Sequence, residues 1–200
     1  MRKLVLASGN PGKLGEIRAL LDPLAIEVVS QGDLGIADAD EPHCTFLENA
    51  LAKARHASRA SGLPALADDS GICVDALAGE PGVDSAYFAG HQGSREERDA
   101  RNNAKLLEAI KDHAVKSAHY VCVMVLVRHA SDPQPLVAQG DWHGEVTDRP
   151  RGSHGFGYDP LFLVRGLGKT AAELDSAHKN RISHRGIALR ELVARLHAGG

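Results

Sequence analysis

Apolar residues recur along this chain in two rhythms. Short unbroken runs, Leu4-Val5-Leu6 and Ile72-Cys73-Val74 among them, have the length and flanks of buried strands. Elsewhere apolar positions return every three or four residues: Leu14, Ile17, Leu20 and Leu21, then Leu106, Leu107 and Ile110, and finally Leu189, Leu192, Val193 and Leu196. That second rhythm predicts helices with one buried face. Turn and cap residues set the limits. A strand over 3–7 ends at Ser8-Gly9-Asn10-Pro11-Gly12, which places Lys13 in the first turn of a helix. A strand over 26–29 leads into a loop over 31–44 that carries Asp33, Asp38, Asp40 and Glu41.

Thr45 with Glu48 reads as a capping box opening a helix to Ser61, stopped by Gly62 and Pro64. A second box, Ser94 with Glu97, opens a helix to Ile110. The β-rich run 119–127 turns at Pro133-Gln134-Pro135 into a strand over 136–146, expected to pair with it antiparallel. Glycines dominate 149–159, a strand is expected over 161–164, Thr170 to Glu173 caps a short helix, and Ser183 opens the last one. Helices alternating with strands early and long paired strands later make an α/β chain with a mixed sheet.

Composition narrows the classes. The 200 residues suit a single domain, at most one with a lobe, and no repeats or low-complexity tracts mark a linker. At 43% apolar and 24% charged the chain is an ordinary globular one, and no apolar run approaches the ~20 residues of a membrane helix. Met1-Arg2-Lys3 is followed by too few apolar residues for a secretory signal. Cys44, Cys73 and Cys122 are odd in number and far apart, the usage of reduced thiols in a cytoplasm rather than of disulfides or structural zinc. A net charge of −3 and 4% aromatic residues argue against a nucleic-acid surface. A polyanionic small molecule is still accommodated, because a few local lysines suffice. The 11 histidines show no H-E-x-x-H spacing and read as surface or satisfied side chains.

Four stretches could carry chemistry. Ala67-Asp68-Asp69-Ser70-Gly71 puts adjacent acids between two apolar runs, where ionising costs water unless a metal, a lysine or another donor compensates. It reads as a buried strand that breaks open with Gly71 as its turn; the plain alternative is a β-turn capped by Asp68 and Ser70. Ser8 to Lys13 is a strand–loop–helix junction of the kind that attracts phosphate, or else an ordinary turn; its spacing is not that of a Walker loop. Gly155-Phe156-Gly157-Tyr158-Asp159-Pro160 offers an aromatic face beside open backbone, or else a glycine-rich hairpin with a core Phe. Lys179-Asn180-Arg181-Ile182-Ser183-His184-Arg185 crowds cations at a helix start, against the dipole, which favours a bound phosphate or electron-rich base edge over a solvated cap. Asn49, Lys53 and His56 form a polar stripe on one helix face, a pattern that usually means solvent exposure.

These stretches, with Thr45-Phe46-Leu47-Glu48-Asn49-Ala50, Pro81-Gly82-Val83 and Ser183-His184-Arg185, occur in the order seen in the Ham1-like inosine/xanthosine triphosphate pyrophosphatase family. The chain resembles that family along essentially its whole length, its bacterial members most. The resemblance implies one catalytic domain over residues 1–200, an elongated mixed β-sheet with flanking helices forming two lobes around a central active-site cleft. It also implies a cytoplasmic homodimer that uses magnesium and engages neither nucleic acid nor membrane. The implied reaction converts ITP, dITP or XTP to the monophosphate and pyrophosphate, keeping deaminated purines out of DNA and RNA.

By the same resemblance Ser8, Gly9, Asn10, Pro11, Gly12 and Lys13 hold the triphosphate, with Lys53 close to it and its polar stripe turned to the cleft. Asp69 is general base and magnesium ligand, Glu41 the second metal ligand with Asp40 as alternative, and Ser70 touches substrate. Phe156, Gly157, Tyr158 and Asp159 receive base and ribose, Lys179 contacts the nucleotide, and His184 and Arg185 read the purine's oxo edge. Two features depart from the family pattern: Pro42-His43 in the acidic loop, and His154 where a small residue is usual. From other classes, a non-catalytic nucleotide sensor or a magnesium phosphatase or kinase would use many of the same groups.

Overall fold

A computed structural model of the chain describes residues 3–21 and 26–198, with Pro11 and Leu20 described by backbone alone. The strands are β1 (Lys3–Leu6), β2 (Glu27–Ser30), β3 (Ala65–Val74), β4 (Ser117–Val127), β5 (Leu136–Val146) and β6 (Phe162–Val164). The helices are α1 (Pro11–Leu21), α2 (Phe46–Ser61), α3 (Arg95–Ile110), α4 (Ser176–Ile182) and α5 (His184–Ala198). The six strands lie in the order β2-β1-β3-β4-β5-β6. β1 runs parallel to β2 and β3, whereas β6 is antiparallel to β5. The fold is therefore mixed α/β, a central sheet flanked by helices. Its described residues divide into two compact units, one within Met1–Asp69, Cys122–Gly140 and His184–Gly200, the other within Ser70–Val121 and Asp141–Ser183.

In the first unit β1 lies between β2 and β3. α1 carries the chain outward from β1 to β2, and α2 carries it back past β1 to β3. Right-handed crossovers in opposite directions put the two helices on opposite faces of the sheet. The β1–β3 pair is thus a point where the winding reverses, the place where parallel α/β sheets open a crevice beyond their strand ends. The register, Val5↔Ala65 and Leu6↔Leu66, sets the loop after β1 alongside Ala67-Asp68-Asp69. On the α1 face, Ile17 and Leu21 bury against Leu4, Leu6 and Leu66, together with Leu189 and Leu192 of α5. Each such side chain contributes about 1.5–3 kcal/mol of burial. α5 approaches β5 closely at Gly140, where a Cβ would lie 2.6 Å from Ala188 N. Any larger residue there would push the helix off the sheet.

The second unit has its own core of Ile72, Val74, Leu106, Ile110, Tyr120, Trp142, Tyr158, Leu161 and Phe162. Tyr120 meets Phe162 edge-on at 4.8 Å between ring centroids, and Trp142 lies 5.0 Å from the same ring.

Several sequence expectations change. Gly71 makes no turn, for β3 runs unbroken through the acid doublet to Val74. A Cβ at Gly71 would collide with Gly82 O and Ser85 Oγ, so the glycine marks a close backbone approach within a strand. Thr45 caps α2 by accepting from Glu48 N at 3.2 Å, but its hydroxyl donates to the Glu48 carboxylate at 2.6 Å, so half of the expected box is replaced by a side-chain bond. Ser94 and Glu97 form the full box. Ser183 precedes the last helix, α5, as expected, but another helix, α4, comes before it, capped by Asp175, which accepts from His178 N at 2.7 Å. Within the turn that joins β4 to β5, Asp132 takes the backbone N–H groups of Arg128 and Gln134, each at 2.9 Å, and the Arg128 guanidinium at 2.6 and 2.8 Å.

Candidate active site

The phosphate-loop candidate is built by Asn10. Its Oδ1 accepts from Gly12 N at 3.0 Å and Lys13 N at 3.2 Å, an N-cap that satisfies two of the open donors at the head of α1. Asn10 N donates to Ser8 Oγ at 3.3 Å. At Gly9 a Cβ would stand 3.1 Å from the Asp38 carboxylate, a tight contact that would make the carboxylate shift slightly. Asp38 is itself held by Gln31 Nε2 from across the acidic loop. Lys13 then reaches from the first turn of α1 to Asp68 Oδ2, 3.1 Å away.

Asp68 and Asp69 are consecutive strand residues and face opposite ways. Asp68, fully buried, looks toward α1 and α5, where Lys13 and Arg185 meet it. Burial opposes its ionisation, but the charges of Lys13, Arg185 and Lys53 outweigh burial and hold its carboxyl well below the usual carboxylate range. Asp69 looks toward α2. Its Oδ1 accepts from Lys53 Nζ at 3.1 Å and its Oδ2 from Asn49 Nδ2 at 3.3 Å. Burial raises the Asp69 pKa and the nearby Glu41 carboxylate raises it further; Lys53 and Lys13 offset only part of this. Lys53 in turn is held protonated: burial alone would lower its pKa, yet Asp69, Glu41 and Asp68 together raise it.

Glu41 reaches the same lysine, Oε2 lying 2.6 Å from Lys53 Nζ. Of the two acids considered beside Pro42, the structure brings Glu41 to the Asp69 side chain through Lys53. Asn49 holds the loop in place by exchanging hydrogen bonds with the His43 backbone at 3.1 and 3.2 Å. His56 adds a contact at 3.0 Å to Ala37 O. The Asn49–Lys53–His56 stripe therefore faces the acidic loop and Asp69, not solvent. Its polarity alone suggests solvent, because the partners lie far away in sequence; only the family resemblance, through Lys53, turns the stripe inward. The sequence assigns Asn49 no site role; its signals are its i, i+4 spacing from Lys53 and its place in the Thr45–Ala50 motif.

Arg185, 2% exposed, pairs with Asp68 and with Glu16. The cation at the start of α5 thus has two carboxylates of its own chain to oppose the unfavourable dipole. His184 beside it is buried, 4% exposed. Ser70 follows Asp69 in β3 and belongs to the second unit.

The second unit gathers an aromatic face, a buried ion pair and two cations. Gly155 and Gly157 both have positive φ, 76° and 61°. Between them Phe156 N donates to Asp159 Oδ2 at 2.8 Å. Lys179 Nζ meets the same oxygen at 2.6 Å, both side chains being buried. Lys179 Nζ and Arg95 Cζ each lie 4.7 Å from the Phe156 ring centroid. Two cations against one ring leave the half-buried Phe156 in an electron-attracting setting. Gly157 is pinned through N–H to Asp99 at 2.8 Å and through C=O from Asn103 at 2.9 Å, contacts that no motif foretold. Tyr158 takes no part in this face. Its ring is core and its hydroxyl donates to Ser85 O at 2.9 Å, so of this residue only the backbone belongs to this glycine-rich loop. His154 is exposed, its N–H donating to Ala172 O at 3.0 Å.

Among the described residues no three His, Cys, Asp or Glu side chains form a ready metal-ligand set. Glu41 and Asp69 nonetheless supply two hard oxygen donors on either side of one lysine. Magnesium takes such donors, one or two carboxylates beside waters and substrate phosphate oxygens.

The sequence profile of the Ham1 family matches residues 4–195. The chain belongs to the Ham1 family. A dITP/XTP pyrophosphatase of Ralstonia nicotianae is 63% identical over 196 residues, 98% of this chain and 97% of that protein. The solved structure of a HAM1 protein from Coxiella burnetii superposes with a TM-score of 0.91 at 46% identity, covering 99% of this chain and all of that one. A nucleoside-triphosphatase / dITP/XTP pyrophosphatase structure from Mycobacterium abscessus gives 0.74 at 40% identity, covering 95% and 98% of the two chains. A Ham1 protein thus accounts for the order of motifs and for the sheet alike.

Proposed function

We propose that this Ham1 protein hydrolyses deaminated purine nucleoside triphosphates (dITP, ITP and XTP) to the monophosphate and pyrophosphate. The observation that carries the proposal is the setting of Asp69. It is a buried carboxylate of raised pKa, held by Asn49 and Lys53 in the same unit as the Asn10-capped loop and Lys13. The family and the activity by which its close relatives are named support the same reading.

On this reading Ser8 to Lys13 bind the triphosphate, with Lys13 and Lys53 balancing its charge. Asp69 accepts a proton from the water that attacks the α-phosphorus. Its raised pKa makes it a stronger base than an exposed aspartate. Glu41 and Asp69 would hold magnesium, which supplies charge neutralisation for the departing pyrophosphate. In the second unit, Phe156 offers its ring to the purine, with the Phe156–Asp159 backbone, Ser70 and Lys179 contacting the nucleotide. His184 and Arg185 are assigned to the 6-oxo edge. Donors aimed at that edge reject the amino group of ATP, which leaves them unpaired. A cytoplasmic homodimer completes the reading; it rests on family likeness and on the three widely separated, unpaired cysteines.

Incubation with magnesium and dITP, ITP, XTP, GTP or ATP, with separate detection of pyrophosphate and orthophosphate, tests it. Pyrophosphate from the first three, at rates at least about a hundredfold above ATP, is the expected outcome. Orthophosphate release would make the protein a phosphatase, and binding without product a sensor.

A further inference from the structure

The acid that meets the phosphate-loop lysine is Asp68, not the neighbour assigned to the reaction. Its Oδ2 receives Lys13 Nζ at 3.1 Å and both Nε and Nη2 of Arg185 at 3.4 Å. Arg185 Nη1 pairs in turn with Glu16. Glu16 lies three residues beyond Lys13, on the same face of α1. Lys13, Asp68, Arg185 and Glu16 therefore close a ring through α1, β3 and α5. The second oxygen, Asp68 Oδ1, is buried with no hydrogen-bond partner among the described residues. A carboxylate present for the fold alone would be expected to satisfy both oxygens, since an unmet buried acceptor is costly. Here one edge of the group is committed to two cations at the expense of the other.

We propose that Asp68 is a positioning residue, which through Oδ2 holds the Lys13 ammonium at the head of α1 to meet the triphosphate, with Arg185 and Glu16 as braces. This rests on reading the site as a triphosphate site. The alternatives differ in sign. A negative charge that only sits near the substrate repels it, so its removal tightens polyphosphate binding. A charge that fixes the lysine weakens binding when removed, because Lys13 loses its place.

Calorimetric titration of inorganic triphosphate with magnesium into the wild type, Asp68→Asn, Lys13→Ala and the double variant reads this directly, alongside pyrophosphate release from dITP. Asp68→Asn should weaken triphosphate binding about tenfold, as for loss of a charge-assisted contact. It should raise KM for dITP by a similar factor while kcat stays within about threefold. Added to Lys13→Ala it should change affinity by less than about twofold, because it acts through that lysine. Unchanged or tighter binding by folded Asp68→Asn, or additive losses in the double variant, overturns the proposal. Should Asp68→Asn not fold, Glu16→Gln takes its place. A loss of about threefold in triphosphate affinity at wild-type Tm supports the ring, and no loss overturns it. A wild type that binds triphosphate but releases no pyrophosphate sinks the hydrolase reading and leaves calorimetry to judge Asp68. One that binds no triphosphate sinks both.

Discussion

Asp69 combines a cost to the fold with the proposed chemistry. A carboxyl whose folded pKa is raised binds its proton more tightly folded than unfolded. Its contribution is therefore most favourable below the unfolded value and declines as pH rises through the folded one. At neutral pH ionised Asp69 works against stability, which gives two expectations for Asp69→Asn. Turnover should fall by about two to four orders of magnitude, while Tm at pH 7 in EDTA should not fall below the wild type. Near wild-type turnover in steady-state assays, or a Tm drop of several degrees, would remove the residue from its role. The legibility of single residues followed their chemistry. Asp69 stood out because acids between apolar runs are expensive without a purpose, whereas Lys13 drew notice only as part of a strand–loop–helix junction that an ordinary turn would also explain. Asn49 did not, since an amide on a polar stripe looks the same whether it faces water or a buried carboxylate. Arg185 was visible as a misplaced cation, but its partners Asp68 and Glu16 are separated from it by most of the chain.

Among the elements, β3 shows what local pattern misses. A glycine after two acids and a serine reads as a turn, yet the strand continues because Gly82 O and Ser85 Oγ occupy the space a side chain would need. Gly71→Ala should cost about 3 kcal/mol in urea unfolding, the upper range for overpacking; a loss below about 1 kcal/mol would mean that the segment over 82–85 shifts freely. The turn beyond β4 gives a pH prediction. Hydrogen bonds from the Arg128 side chain, then from the backbone N–H groups of Arg128 and Gln134, hold Asp132 well below the usual carboxylate range. A depressed folded pKa gives stability that is complete above the unfolded value of about 4 and drains as pH falls through the folded one. Asp132→Asn should thus narrow the difference in stability between pH 7 and pH 3, as measured by denaturant melts at the two values. A variant with the same acid-side slope as the wild type would show that the turn contributes nothing there. Helices with strong caps or apolar stripes were readable; α4 was not. Its sequence SAHKNRI has no apolar period, and only the Asp175 cap and the seat of Lys179 beside Asp159 define it.

For the molecule as a whole, alternation of strand and helix was enough to anticipate a mixed α/β sheet, and ordered motifs were enough to anticipate the family. Spatial grouping was not legible. The described residues within Cys122–Gly140 and His184–Gly200 group with those of the first 69, while Asp141–Ser183 groups with Ser70–Val121, an arrangement invisible to any window along the chain. The proposed use of magnesium gives an expectation at this scale. Glu41 and Asp69 already share Lys53, so magnesium should need the substrate's phosphates to complete its shell. Chelation by EDTA should therefore abolish turnover while leaving Tm of the protein alone within about a degree, because a ligand that does not bind the folded chain cannot stabilise it. A large fall in Tm on chelation would point to a resident ion.

Adjacent positions on an extended backbone look away from each other, so the two neighbouring aspartates of β3 serve different helices. A shift of the chain by a single residue at that point would preserve every atom of the composition and still hand each carboxylate the other's surroundings. The lysine of one face would then confront the intended base, and the intended base would have no amide to steady it. On the proposed assignment, catalytic competence becomes a matter of parity: what would distinguish base from brace is whether its place along the strand is odd or even.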